Sequence, residues 1–378
     1  MVDLNKKLIL IFFSIVLSSC SKIQYLISQG ASQNKLLNSA RKNEEVLNDQ
    51  KVPEEFKKKI RKIIELKKYY YDFWNEEETE IYSKTAFLES QAVSYLVIAS
   101  PFDKIEPKQE CFPFFGCFPY LGFFKENLAK EYAKDLQEEG YVVYVRPVLA
   151  YSTLGYFDDP ILSSMLALDE YEITETVFHE LFHTTLFIKN EVSLNEALAN
   201  LVAEEMVNIY YTFDKSDKKK REFKRKKIKD LTRWLVEKTN RLNNIYGYHK
   251  NLEPFQANGI KDNFLKNEFL PQAKKKCSSS GISISECFPL KIEWNNASFT
   301  SFLTYEEEDE RLSKLKKDLN LNLRDFVELI KLRYKEYNKS YRETKLKGFP
   351  DFLFNKVENY ATYTFYQSPS LSSNKKRL

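Results

Sequence analysis

The segment His179-Glu180-Leu181-Phe182-His183 sets two imidazoles four residues apart, with a carboxylate beside the first. On a helix that interval is a little over one turn. Both rings then leave one face and can hold one metal ion, and Glu180 can reach a water at that ion. The chain contains only three histidines, and three placed at random would make this pattern on the order of once in several hundred sequences. A catalytic zinc takes three protein ligands and keeps a fourth position for water, so one more donor is required. Glu196, Glu204 and Glu205 are the candidates, on one helical stretch, with Glu204 able to share a face with Glu196. The expected cofactor is Zn2+, one per chain, although two histidines and a carboxylate also accept manganese or cobalt. With Glu180 as general base, the chemistry is hydrolysis of a polar bond. The alternative from another class is a structural or vestigial metal site in a partner-binding protein, and the acid at 180 speaks against it.

The elements that must position these groups follow from periodicity. Ile173, Val177, Leu181 and Leu186 run down one side of a predicted helix from about 174 to 188, and a second helix is expected from about 195 to 210. An earlier helix begins near Pro53, with Phe56, Ile60, Ile63, Ile64 and Leu66 at helical spacing. Val93 to Ala99 reads as a buried strand, Cys111 to Phe124 as a loop rich in Pro, Gly and Phe, and Tyr141 to Tyr151 as a strand. Between them, Glu126 to Glu139 is a helix stopped by Gly140, which accepts a left-handed cap. Helix resumes around Arg311 to Tyr337. The expected fold class is therefore α+β and helix-rich, with a small mixed β-sheet that contains Tyr141 to Tyr151 packed on the metal helix. The basic stretch from Lys215 to Lys229 is either a solvated helix face or a contact for anionic lipid headgroups.

Composition bounds the rest. The 378 residues are 43% hydrophobic and 30% charged, enough for a large core under a polar surface. A net charge of +4 does not call for a nucleic-acid partner, and there is neither an internal repeat nor a Gly-rich phosphate loop. Lys6 and Lys7 precede an apolar run from Leu8 to Leu17, too short to span a bilayer and suited to a signal peptide. It ends in Leu17-Ser18-Ser19-Cys20, which resembles a bacterial lipobox. On this reading residues 1–19 are removed, Cys20 is lipidated, and the chain is exported and anchored to a membrane of the bacterial envelope. Residues 20–50, rich in Ser, Gln, Asn and Lys, are expected as a tether, residues 51–367 as a single catalytic domain, and 368–378 as a disordered tail. In an oxidising compartment Cys111 with Cys117 and Cys277 with Cys287 is the simplest of three pairings, a zinc site of four thiolates being the alternative.

Asn195-Glu196-Ala197-Leu198-Ala199-Asn200 resembles the Asn-Glu-Ala-x-x-Asp segment by which the thermolysin-like gluzincins bring a glutamate to zinc. The resemblance implies Glu196 as third ligand, with Asn200 where that group has the aspartate that supports a ligand histidine. The chain is also similar to a narrower family, the zinc aminopeptidases of bacterial envelopes, known mainly as lipoproteins. That likeness rests on Cys111 to Cys117, Gly122-Phe123-Phe124, Ala150 to Pro160, the histidine helix, Asn195-Glu196-Ala197, and Trp294-Asn295-Asn296-Ala297 with Tyr305. It implies peptide or protein substrates, a role for Tyr305 (or else His249) in stabilising an oxyanion, and substrate or supporting roles for Tyr151, Asp158, Asp159 and Asn296. Tyr151 could pair with an extended substrate or simply lead into a turn. Asp158 and Asp159 could orient a ligand histidine, bind a substrate amine or cap the turn before Pro160. No Gly-x-Met-Glu-Asn segment is present, so endopeptidase action stays open beside aminopeptidase action.

Overall fold

The computed structural model describes residues 22–112, 116–153, 156–212, 215–303, 306–340 and 348–354. Tyr305, Cys20, the signal segment and the tail at 368–378 lie outside the described residues. The helices are α1 (22–39), α2 (Asn43–Asn48), α3 (Glu54–Trp74), α4 (Glu126–Glu138), α5 (Glu170–Thr185), α6 (Val192–Tyr210), α7 (Lys215–Gly247), α8 (Pro254–Phe264), α9 (Leu270–Ser279), α10 (Asn296–Leu303), α11 (Glu306–Asp318), α12 (Leu323–Ser340) and α13 (Phe349–Phe354). The strands are β1 (Arg41–Lys42), β2 (Lys84–Ala86), β3 (Ser94–Ser100), β4 (Glu110–Phe112), β5 (Gly116–Phe118), β6 (Leu121–Phe123), β7 (Val142–Val148) and β8 (Ile161–Leu162). Among the described residues no helix is long and apolar enough to cross a membrane. The architecture is α+β.

Three sheets form. β3 lies between β6 and β7, antiparallel to both, with Tyr95 opposite Phe123 and Val97 opposite Val145. β1, β2 and β8 make a mixed sheet in which β2 and β8 are parallel. β4 and β5 form a two-stranded ladder, so the segment expected as a loop after Cys111 is largely paired. Cys111 and Cys117 stand directly opposite each other in that ladder and are joined by a disulfide; Cys277 and Cys287 form the second.

The sheet that holds 142–148 is not the one packed on α5, the helix of His179 and His183. It is covered by α4 and α10, while α5 packs chiefly on α6 and α3, and α6 also on α11. The mixed sheet shares the core of α5 instead: Ile161 and Leu162 of β8 are buried in one cluster with Ile173, Val177, Phe178, Leu181 and Phe182. α5 buries one face, Ile173, Val177, Phe178, Leu181 and Phe182, and leaves Glu170, Tyr171, Glu172 and Glu175 exposed. Each such apolar side chain contributes roughly 1.5–3 kcal/mol on burial, which fixes the helix against its neighbours.

The N-terminal segment corrects the expectation of a tether. Residues 22–39 are helical, and Tyr25 packs on Phe112 and Phe123 while its hydroxyl donates to Gly122 O at 2.8 Å. Asn43 is buried; its Nδ2 donates to Tyr82 O (2.7 Å) and its Oδ1 accepts from Thr85 Oγ1 (2.8 Å). Ser, Gln and Asn here bond to the body as well as to water.

Candidate metal centre

Asp169 starts α5. Its side chain accepts from Tyr171 N and Glu172 N, and Glu172 returns a bond to Asp169 N, a reciprocal cap that satisfies donors the helix leaves unpaired. The helix therefore begins at Glu170 and ends at Thr185, because Leu186 takes extended backbone. α6 returns antiparallel after a turn in which Asn190 adopts a left-handed conformation, φ 65°. Asn195 closes that turn: its Oδ1 accepts from Ile188 N and its Nδ2 donates to Ile188 O, both at 2.8 Å. This two-bond clamp sets the register of the next residue, Glu196.

The result is convergence. His179 Nε2 and His183 Nε2 lie 3.2 Å apart, Glu196 Oε2 is 3.3 Å from the first and Oε1 is 3.7 Å from the second. One donor atom from each of the three falls within 4.8 Å of the others. The rival ligands are committed elsewhere. Glu204 pairs with Arg225 at 2.5 Å and Lys229 at 3.4 Å, and Glu205 pairs with Lys316 at 2.9 Å. Arg225 also binds Glu175 at 2.8 Å, so part of the basic stretch clamps α5 to α6 and is not simply a solvated face.

The charges of the site follow from burial and from one another. Burial pushes the Glu180 carboxyl up to about 7; His179 opposes the rise, while Glu196 and Asp159 add to it. Burial and the neighbouring His179 charge lower His183 to about 4. For His179 burial works downward, but Glu196, Glu180 and an acceptor on Asn200 outweigh it and the ring is shifted up. Glu196 is held below the usual carboxylate range because the two histidines and Arg146 overcome its burial. Two imidazole nitrogens and one ionised carboxylate, aimed at a common point and flanked by a buried acid, fit a divalent ion such as zinc.

The remaining expected site residues separate. Asp159 is 4% exposed. Its Oδ2 accepts from Thr153 N at 2.7 Å and Thr153 Oγ1 at 2.8 Å, and its Oδ1 is buried without a hydrogen-bond partner among the described residues. Asp158 is exposed on the same loop. The Tyr151 hydroxyl is spent on Gln33 Oε1, and its ring meets Phe124 edge-on. Asn296, expected near substrate, is a lock inside the fold. It is 1% exposed, donates to Pro101 O, Phe102 O and Lys104 O at 2.9 to 3.1 Å, and accepts from Tyr246 OH at 3.0 Å. His249 is exposed beyond the end of α7.

Three groups at the site escaped the sequence. Tyr82 is buried in a left-handed conformation, φ 60°, held by its N–H to Asp159 O at 2.7 Å and by Asn43, and its hydroxyl feels the charges of Glu180 and Asp159. Arg146 of β7 acts on Glu196; a lone guanidinium in the run Val142-Val143-Tyr144-Val145-Arg146 was the available signal. Asp309 of α11 is pushed up to about 6 by burial, against the nearby charges of Lys229 and His179.

Against known proteins, a family model described as "Putative aminopeptidase" matches residues 24–346. No curated protein and no solved structure matches the chain significantly.

Proposed function

The chain belongs to the Putative aminopeptidase family, and from that membership we propose that it is a zinc-dependent aminopeptidase anchored by a lipid on Cys20 in a bacterial envelope. The observation that carries the metal part is the convergence of His179 Nε2, His183 Nε2 and Glu196 within 4.8 Å. Those three residues would hold the ion. When bound, zinc supplies Lewis acidity, making a water more acidic and drawing charge from a carbonyl oxygen.

The chain's own residues supply the rest. Glu180 is buried and raised to about 7, which suits a base that must take a proton from the attacking water and return it to the leaving amine. Glu196 stays ionised beside the histidines, and Asn200 gives the His179 ring an acceptor that fixes its orientation. Arg146 adds positive charge on the sheet side. Tyr305 remains the proposed donor to the oxyanion.

Metal analysis of the purified chain, combined with hydrolysis of a peptide library read by mass spectrometry, tests this. The expected result is one zinc per chain, residues released singly from the N-terminus, and loss of both products in Glu180→Gln with the zinc retained. A wild type that holds zinc and cleaves no peptide would instead favour a partner-binding protein; cuts only inside peptides would make it an endopeptidase.

A further inference from the structure

We infer that Asp159 is the anchor for the substrate's N-terminal ammonium and so makes the enzyme an exopeptidase. The inference rests on the metallopeptidase reading above, and its basis is the division of labour between the two oxygens of one carboxylate. Oδ2 is used by the loop, accepting from Thr153 N and Oγ1. Oδ1 is buried without a hydrogen-bond partner among the described residues. The side chain is 4% exposed, yet its charge acts on Glu180 and on the Tyr82 hydroxyl, which places it on the general-base side of the histidine pair.

Stapling Thr153 does not require a charge. An asparagine oxygen would accept the same two bonds without the cost of a desolvated anion. Among the described residues no cation acts on Asp159; the groups that do are Thr153 and the like-charged Asp158. Glu204 meets Arg225 and Lys229, and Glu205 meets Lys316, while Asp309, whose Oδ1 is also buried without a hydrogen-bond partner among the described residues, lies in the field of Lys229 and His179. A buried carboxylate beside the proposed base, with one oxygen unpaired among the described residues, is matched by a small cation with several N–H donors. A peptide's terminal ammonium has that form, and it lies within one residue of the bond that an aminopeptidase cuts.

The test uses the full-length, zinc-loaded chain with two pairs of probes: leucine hydroxamate against its N-acetyl form, by calorimetry, and a leucyl peptide against its N-acetyl form, by kcat/KM. The wild type is expected to prefer each free amine by about 100-fold or more, the range for a buried charge pair that loses one partner. Asp159→Asn should bring both ratios to within about threefold while the N-acetyl hydroxamate binds as before. Asp159→Glu should recover part of the preference. An Asp159→Asn protein that retains the full preference overturns the inference, as does a wild type that cleaves free and acetylated peptides equally well; both leave the metallopeptidase reading standing. A wild type that neither binds hydroxamate nor cleaves any peptide removes that reading, and this inference with it.

Discussion

Asn195→Ala should uncouple the metal site from the fold more cleanly than any change to a ligand. Asn195 is 3% exposed and Ile188 is fully buried, so the two 2.8 Å bonds between them are shielded from water. Alanine leaves Ile188 N–H and C=O without the partners that Asn195 provided. Ile188 O still accepts from Glu191 N at 3.3 Å, so the N–H is the buried orphan, and its loss costs about 1–3 kcal/mol. Asn195→Asp keeps the acceptor but turns an oxygen toward Ile188 O, and should lose at least as much. Glu196 is the next residue, so its carboxylate loses register with the histidines. Supporting contacts of this kind are worth about 10- to 100-fold in metal affinity. Urea unfolding of the metal-free protein measures the first effect, and competition with a chromophoric chelator the second. A variant that loses under about 0.5 kcal/mol and binds zinc as tightly as the wild type would refute the claim that this clamp sets the site.

Glu180→Gln should lower kcat by about 10²- to 10⁴-fold with zinc stoichiometry unchanged, read by single-turnover hydrolysis and elemental analysis. Arg225→Met removes the bridge from Glu175 on α5 to Glu204 on α6; Glu175 is 48% exposed, so solvent screening limits the loss to about 1 kcal/mol, seen as a small fall in urea midpoint that shrinks in high salt. Asp159 is raised from 3.8 to about 6 by burial, so ionising it opposes folding. In the wild type that penalty is absent below the unfolded value and complete above about 6. Asp159→Asn should therefore match the wild type near pH 4 and be more stable at pH 7.5 by up to about 3 kcal/mol; equal stability at both pH values would show that the free oxygen is not desolvated. Glu180, Asp158, Tyr82 and Tyr151 border the same carboxyl, so the comparison is cleanest in the metal-free protein.

What the sequence revealed and what it concealed divide along the range of the interactions. The histidine pair was legible because a helix turns spacing into a shared face within four residues. Glu196 was legible because its neighbours form a recognisable segment, and the clamp from Asn195 to Ile188 now gives that segment a physical reason. The loop at 150–160 was legible as important but not in its division of labour. Asp159 keeps one oxygen for Thr153, while Tyr151 is turned away to Gln33 on a helix that composition had assigned to a tether. Asn296 misled for the same cause: its acceptors are backbone carbonyls at 101, 102 and 104, and carbonyls carry no side-chain signature. Tyr82 and Asn43 meet across 39 positions of chain, a pairing without period. Asp309 was hidden in an acidic run from Glu306 to Glu310, where nothing distinguishes the one carboxylate that faces His179.

The distribution of charge explains why these scattered residues belong together. Glu180 and Glu196 act on His179, Asp309 feels its charge, and Asp159 acts on Glu180; burial pushes all four carboxyls up, and for Glu196 the histidines and Arg146 outweigh it. Arg225 is tied to Glu175 and Glu204, and Lys229 is shared between Glu204 and the field at Asp309. Arg146 acts on Glu196 from the sheet, and His179 can hold only one proton for the group. On the proposed function, a divalent cation and a substrate ammonium would each supply positive charge that offsets the cost of this set in the metal-free fold. Asn43 Nδ2 donates to Tyr82 O and Tyr82 N donates to Asp159 O, both at 2.7 Å, so the N-terminal segment is tied through Tyr82 to the loop that carries Asp159.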